Sequence, residues 1–183
     1  SQHSHQAVFG GRLHNARQRS LYGNVITQYP LSGEKHMMKT GVNSRLDDFD
    51  ETIRWTSLDS ANFDRLERTI GLFSEYTYAP SPRMTLVVGL RGDIHNYYGT
   101  FMTPRAHFRY GLTENTTIRL SAGRGQRSPN VLTDQLGLLV SSRTWEFNSS
   151  TNLPGYGFLP EIGWNFGGSL TQNFVLDFRS GSI

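Results

Sequence analysis

Hydrophobic and polar positions alternate along much of this chain with a period of two, the signature of half-buried β-strands. The cleanest stretch is 84–93. There Met84, Leu86, Val88 and Leu90 share one face, and Thr85, Val87, Gly89, Arg91 and Asp93 share the other. Ile118, Leu120 and Ala122 oppose Thr117, Arg119, Ser121 and Gly123, and Ala106, Phe108 and Tyr110 oppose Arg105, His107 and Arg109. Ile162, Trp164, Phe166 and Leu170 oppose Gly163, Asn165, Gly167, Ser169 and Thr171. The pattern predicts eight strands: 16–31, 35–48, 66–79, 84–96, 102–112, 116–124, 160–171 and 174–180, with 1–15 preceding the first.

The predicted connections alternate in length. Tight polar turns at 32–35, 80–83, 113–116 and 171–173 are interleaved with long links at 49–65, 95–104 and 124–159. In an up-and-down antiparallel sheet, alternate connections lie at opposite ends. Short turns on one side and long loops on the other are the arrangement of an outer-membrane barrel. Strand length supports this, because runs of roughly 10 to 15 residues exceed the usual five or six of soluble sheets and suit a tilted membrane strand. So do aromatics near strand ends, namely Tyr76, Tyr78 and Tyr110 at one end and Tyr97 and Tyr98 at the other. A soluble β-sandwich with one solvated face fits the alternation as well.

Composition narrows the classes. The 183 residues suit one sizeable domain, and the mean hydropathy of -0.47, with no long apolar run, excludes a transmembrane helix but not a barrel, whose strands are apolar on one face only. The absence of Cys removes disulfides and thiolate metal sites. The net charge of +3 is carried mainly by Arg, since Lys35 and Lys39 are the only lysines. No basic run or basic helix points to nucleic acid. Ser1–Gln6 carries no apolar core of a signal peptide, so an exported chain of this kind is either mature or a piece, and a strand beginning near the C-terminus argues for a piece.

The long link at 124–159 has internal structure. Ser128 is placed to N-cap a helix with Pro129 at its first position, and Leu132, Leu136 and Leu139 recur at helical spacing. A short helix is therefore predicted over 129–140, followed by a Ser, Thr, Asn, Pro and Gly-rich loop at 148–157.

Several segments, in order, resemble the β-barrel of TonB-dependent outer-membrane receptors, of the kind abundant in Bacteroidetes. These are Gly71-Leu72-Phe73-Ser74-Glu75-Tyr76, Gly89-Leu90-Arg91-Gly92-Asp93, Thr103-Pro104-Arg105, the run from Arg119 through Gly123-Arg124-Gly125-Gln126-Arg127-Ser128-Pro129, and Pro160-Glu161-Ile162-Gly163-Trp164-Asn165. None is specific alone; their colinearity over 66–172 is. The resemblance implies the C-terminal part of a larger barrel, commonly of about 22 strands, plugged by an N-terminal domain and energised through TonB. The chain carries neither the plug nor a TonB-contacting box. Residues 1–183 would then be a partial barrel domain embedded in outer-membrane lipid. The parent protein would take up a scarce solute of the siderophore, vitamin or glycan class, without a cofactor and without nucleic acid. A passive porin-like barrel and a soluble extracellular β-domain are the alternative readings.

Candidate site residues fall into two groups. The polar face carries Lys39, Arg45, Glu75, Arg91, Asp93, Arg105, Arg109, Arg119 and Glu161. These either guide an anionic solute or pair with each other and with a plug. The loop side carries Tyr97, Tyr98, Phe101, Arg127 and Trp145, which combine aromatic and polar groups as ligand-binding loops do. Asp47, Asp48, Asp50 and Glu51 form an acidic cluster that is a weak Ca²⁺ candidate, because its spacing fits no EF-hand. The six histidines show no HExxH or His/carboxylate triad spacing, and His3 and His5 lie in a terminal segment expected to fray. The glycine-rich 123–128 lies between antiparallel strands and lacks the βαβ setting of a nucleotide fingerprint. No nucleophile stands at defined spacing from a histidine, so an enzyme is not expected.

Overall fold

A computed structural model describes residues 1–55, 60–135, 137, 140, 156–176 and 179–182. The strands are β1 (Gln2–Phe9), β2 (Arg12–Pro30), β3 (His36–Arg54), β4 (Ser60–Asn62), β5 (Arg65–Ser81), β6 (Met84–His95), β7 (Gly99–Gly111), β8 (Thr116–Arg127), β9 (Glu161–Leu176) and β10 (Arg179–Ser182). They form one antiparallel, up-and-down sheet in the order β1-β2-β3-β5-β6-β7-β8-β9-β10, with β4 folded back on the end of β3.

The two faces invert the arrangement of a soluble protein. Phe166 is 74 % exposed and Leu72 64 %, whereas Asp93 on the other face is 2 % exposed. Val25, Val42, Leu90 and Leu120 stand with Phe166 on the outward face. A sandwich buries such residues against a second sheet, and here, among the described residues, nothing covers them. The outward face is therefore the lipid-facing one and the concave face is the polar inner wall. Tyr76, Tyr78 and Tyr110 gather on the outward face near the short turns. There His36 Nδ1 and the Tyr76 hydroxyl are 2.6 Å apart, and the His36 ring stacks on Tyr78 at 4.9 Å.

Several strands run further than the alternation predicted. Residues 1–15 are not a lead-in. β1 and the start of β2 form a hairpin across Gly10-Gly11, both at positive φ (53° and 88°), as a two-residue turn matched to strand twist requires. His3 and His5 thus stand in a paired strand. The expected link at 49–65 is largely strand, because β3 continues to Arg54 and β5 starts at Arg65. The expected loop at 95–104 shrinks to the turn 96–98. Polar residues continue these strands past the apolar band because the ladder hydrogen bonds do not depend on side-chain hydrophobicity. At the other extreme, β9 runs through the turn expected at 171–173 and β10 is only four residues long. The helix expected over 129–140 is a single turn, Val131–Asp134, with Asn130 rather than Ser128 at the N-cap position and no side-chain cap bond. Residues 136, 138 and 139 of that span lie outside the described residues.

Candidate ligand-binding wall

The concave face has two tiers. At the loop end, β2, β3, β5 and β6 extend beyond the apolar band and bring charged side chains into a closed cluster. Arg65 is its centre, with a side chain 4 % exposed. Its Nη1 donates to Glu51 Oε2 at 3.2 Å and its Nε to Glu67 Oε1 at 3.0 Å, while Nη2 donates to Asn130 Oδ1. Its guanidinium lies 4.0 Å over the Phe49 ring. His14 Nε2 meets Glu51 Oε1 at 2.8 Å, His95 Nε2 lies 3.5 Å from Glu67 Oε2, and Ser128 Oγ donates to Glu67 Oε2 at 2.8 Å. One buried cation thus faces two buried carboxylates, each with further donors. That is the condition under which buried charge is tolerated.

An apolar cluster of Ile53, Phe63, Leu132 and Tyr156 packs beside this network. Phe63 and Tyr156 rings are 4.8 Å apart. Burial, and the Glu51 carboxylate beside it, push the Tyr156 phenol well above its usual range. Both described ends of the long link after β8 are therefore fixed on the wall. The N-terminal end is held through Ser128, Asn130 and Leu132, and the C-terminal end through Tyr156.

Below the cluster lies an open concavity of about 900 Å³. Arg91, Asp93, Tyr98, Phe101 and Arg127 line it, along with Asn43 and Asp47. Arg91 binds Asp93 through Nε–Oδ2 at 2.7 Å and Nη2–Oδ1 at 2.6 Å, and also reaches Asn43 Oδ1 at 2.9 Å. The Tyr98 ring lies tilted against the His95 ring at 4.8 Å, and burial raises its phenol pKa, with Glu67 adding to the effect. Arg127 spans Glu161 at 2.7 Å and Asp134 at 2.9 Å. Tyr97 does not line the concavity; its hydroxyl accepts from the Leu66 backbone N–H at 3.2 Å. Tyr97 and Tyr98 are therefore turn and wall residues rather than a girdle at the second interface. Trp145 lies outside the described residues.

The remaining inner-wall residues stand toward the short-turn end. Arg105 pairs with Glu75, which also faces Lys39 across the β3–β5 ladder. Arg109 and Arg119 face each other across β7 and β8 and line a second concavity of about 510 Å³.

The acidic cluster is divided by strand alternation. Asp47 and Glu51 point inward and are nearly buried, engaged by Arg45 at 2.5 Å and by His14 and Arg65. Asp48 and Asp50 are exposed on the opposite face. Four acids adjacent in sequence thus cannot converge on one ion, and among the described residues no group of three or more His, Cys, Asp or Glu side chains could hold a metal. The residues missed in sequence were His14, Arg65 and Glu67. Their signal was their place in the extended ends of strands, where Gly10-Gly11 already marked a hairpin that would carry His14 inward.

The sequence profile described as "TonB dependent receptor-like, beta-barrel" matches residues 2–182. Similar solved structures include the copper transporter OprC (TM-score 0.59, 16 % identity, covering 89 % of this chain and 28 % of that one). The siderophore receptor PirA from Pseudomonas aeruginosa gives 0.59 at 16 % identity, covering 93 % and 31 %. A mutant of the ferric enterobactin receptor PfeA from Pseudomonas aeruginosa gives 0.58 at 18 % identity, covering 90 % and 25 %. At such identities the likeness is one of fold, and the chain spans between a quarter and a third of these proteins. Among curated proteins there is no match.

Proposed function

The chain belongs to the TonB-dependent receptor β-barrel family, which is resident in the bacterial outer membrane, and on that premise we propose that it forms part of the wall of a receptor for TonB-energised uptake of a scarce solute. The observation that carries the reading is the pairing of a charge-lined inner wall with a loop whose base is fixed over it by Arg65. Among the siderophore, vitamin and glycan classes, a ferric siderophore is the favoured solute. Similar folds include a receptor in complex with enterobactin, and the wall offers Arg and aromatic groups suited to an anionic chelate. Tyr98, Phe101, Arg91 and Arg127 are the side chains proposed to meet it. Residues 1–183 act as one partial barrel domain, and the plug and the TonB complex are proposed partners.

Transport on this reading involves no covalent step by the wall. Loops and upper wall capture the solute, and energised movement of the plug opens the path. The test is uptake of radiolabelled ferric siderophore, cobalamin and oligosaccharide by cells with and without the full-length protein, each repeated without TonB. Siderophore uptake that needs both the protein and TonB supports the proposal. Uptake that needs the protein but not TonB assigns a passive pore instead. TonB-dependent uptake of cobalamin or oligosaccharide alone keeps the receptor and replaces the solute.

A further inference from the structure

The two rims of the lipid-facing face carry different chemistry. On the short-turn side, the outward strand positions hold Tyr29, His36, Tyr76, Tyr78 and Tyr110, while Lys35 and Arg83 sit in the turns themselves. On the loop side, the outward positions hold arginines. Arg19 on β2, Arg68 on β5 and Arg124 on β8 are each the first outward residue toward the loop end after Leu21, Ile70 and Ala122. Register fixes their orientation, since Arg19 pairs with Asp48, Arg68 with Leu46, and Arg124 with the exposed Trp164. Arg17 and Arg54 stand further out on the same face of β2 and β3. The acids of this rim are Asp48 and Asp50, opposite Arg19 and Arg17. Arg19 comes no nearer to Asp48 than 4.0 Å, with both side chains more than half exposed. Among the described residues, the Arg68 side chain forms no hydrogen bond or ion pair; its backbone N–H donates to Asn96 Oδ1 at 2.9 Å. Arg124 donates to two neutral oxygens, the Met102 carbonyl and Gln126 Oε1.

A tyrosine, apolar with a polar tip, suits an interface of low charge. A guanidinium suits phosphate, which it meets through two parallel N–H donors. Identical leaflets would give the two rims no reason to differ. We propose that Arg19, Arg68 and Arg124 bind phosphate groups of the lipid in the leaflet on the loop side, the external leaflet of the outer membrane. The arginines continue the lipid-facing surface without a break. A lipid whose acyl chains lie against Leu21, Ile70 and Trp164 therefore sets its headgroup at their level. The cations are spread over β2, β5 and β8, so they meet separate phosphates rather than converge on one. The proposal rests on the outward face being lipid-facing and on the long loops being external, and is independent of the solute.

The test uses the full-length protein in dodecyl maltoside, with heat-modifiable gel mobility as the check that each variant is folded. Bis-phosphorylated lipid A, and the same lipid after phosphatase treatment, are titrated in and bound lipid is read by native mass spectrometry. The variants are Arg19→Gln/Arg68→Gln/Arg124→Gln, Arg68→Gln by itself, and Lys35→Gln/Arg83→Gln as the short-turn control. Binding of the phosphorylated lipid should weaken roughly tenfold or more in the triple variant and roughly fivefold in Arg68→Gln, and hold at the wild-type level in the control. The wild type should also prefer the phosphorylated lipid to the dephosphorylated one by roughly tenfold or more. Equal binding of the two lipids by the wild type overturns the proposal. So does binding indifferent to Arg68→Gln and the triple variant, or weakened as much by the control. Should the triple variant fail to assemble, Arg68→Gln and the comparison of lipids on the wild type still decide. No readout uses transport, so failure here is distinct from failure of the uptake reading.

Discussion

The two ends of the inner wall treat charge in opposite ways. At the loop end, Arg65, Glu51, Glu67, His14 and His95 are all nearly buried and mutually bonded, and an apolar cluster seals them. At the short-turn end, Arg109 and Arg119 are exposed on the inner face at opposed positions of the β7–β8 ladder, and among the described residues neither forms an ion pair. The first arrangement fixes geometry, because breaking any contact strands a buried charge. The second holds each guanidinium by a hydrogen bond to a neutral oxygen, of Pro82 and of Thr171, at an exposed site where little charge is desolvated. Position along a strand, rather than residue type, therefore separates a structural arginine from an exposed one.

The largest expected effect is at the closed end. Arg65→Ala leaves Glu51 and Glu67 buried without their shared cation, a loss of about 3–5 kcal/mol. Thermal unfolding of the full-length protein should show a large destabilisation, and limited proteolysis should cut the link after β8, whose base has lost its anchor. Arg109→Ala, in contrast, should leave unfolding unchanged. Equal destabilisation by both would erase the contrast between the two ends.

Next in size is the distinction between faces. Phe166→Arg places a charge against lipid near the middle of β9, at about 2–4 kcal/mol. The adjacent Asn165→Arg points into the lumen opposite Gly123 and should be tolerated. Assembly in the outer membrane, read from the heat-modifiable band, should fall for the first and hold for the second. Similar loss for both would mean that β9 is not in this register.

A smaller effect sits between the two ends, at the Arg91–Asp93–Asn43 group. A Cβ at Gly71 would clash with Asp93 Oδ1 and lie 3.1 Å from the Asn43 amide. Asp93 is fixed by two bonds to Arg91 and cannot yield freely, so Gly71→Ala should destabilise by about 1–3 kcal/mol, as overpacking does. A neutral result in chemical denaturation would show that the group is loose enough to carry ligand contacts without strain.

The smallest effect is at Tyr156. Among the described residues its hydroxyl is buried without a partner in hydrogen-bond geometry. Removing such a group relieves desolvation, so Tyr156→Phe should change stability by less than about 1 kcal/mol. Substantial destabilisation in the same unfolding assay would place the phenol in the Glu51 network as a working donor.

The sequence by itself determined the period-two strands from β2 to β9, their sorting into an apolar and a polar face, and the order of the hairpins between them, because each follows from local alternation; it missed the β1–β2 hairpin and left open what covers the apolar face. Met84, Val88 and Leu90 against Arg91 and Asp93 could be sorted before any fold was known. The colinear motifs from Gly71 to Asn165 likewise pointed to the family. Strand ends were less legible. Alternation fades where both faces are polar, so β3 beyond Asp48 and β5 at Arg65 read as loop, and the acids at 47–51 read as one cluster rather than two faces. Only the tertiary structure decided which charges are satisfied. His14 and Glu51 are far apart in the chain and ladder register brings them together, while Arg65 meets Asn130 because the link after β8 folds back onto the wall. The same register sets Arg109 against Arg119 and Arg105 beside Glu75. Pairing depends on which strand lies opposite at which residue, and no local pattern carries that information.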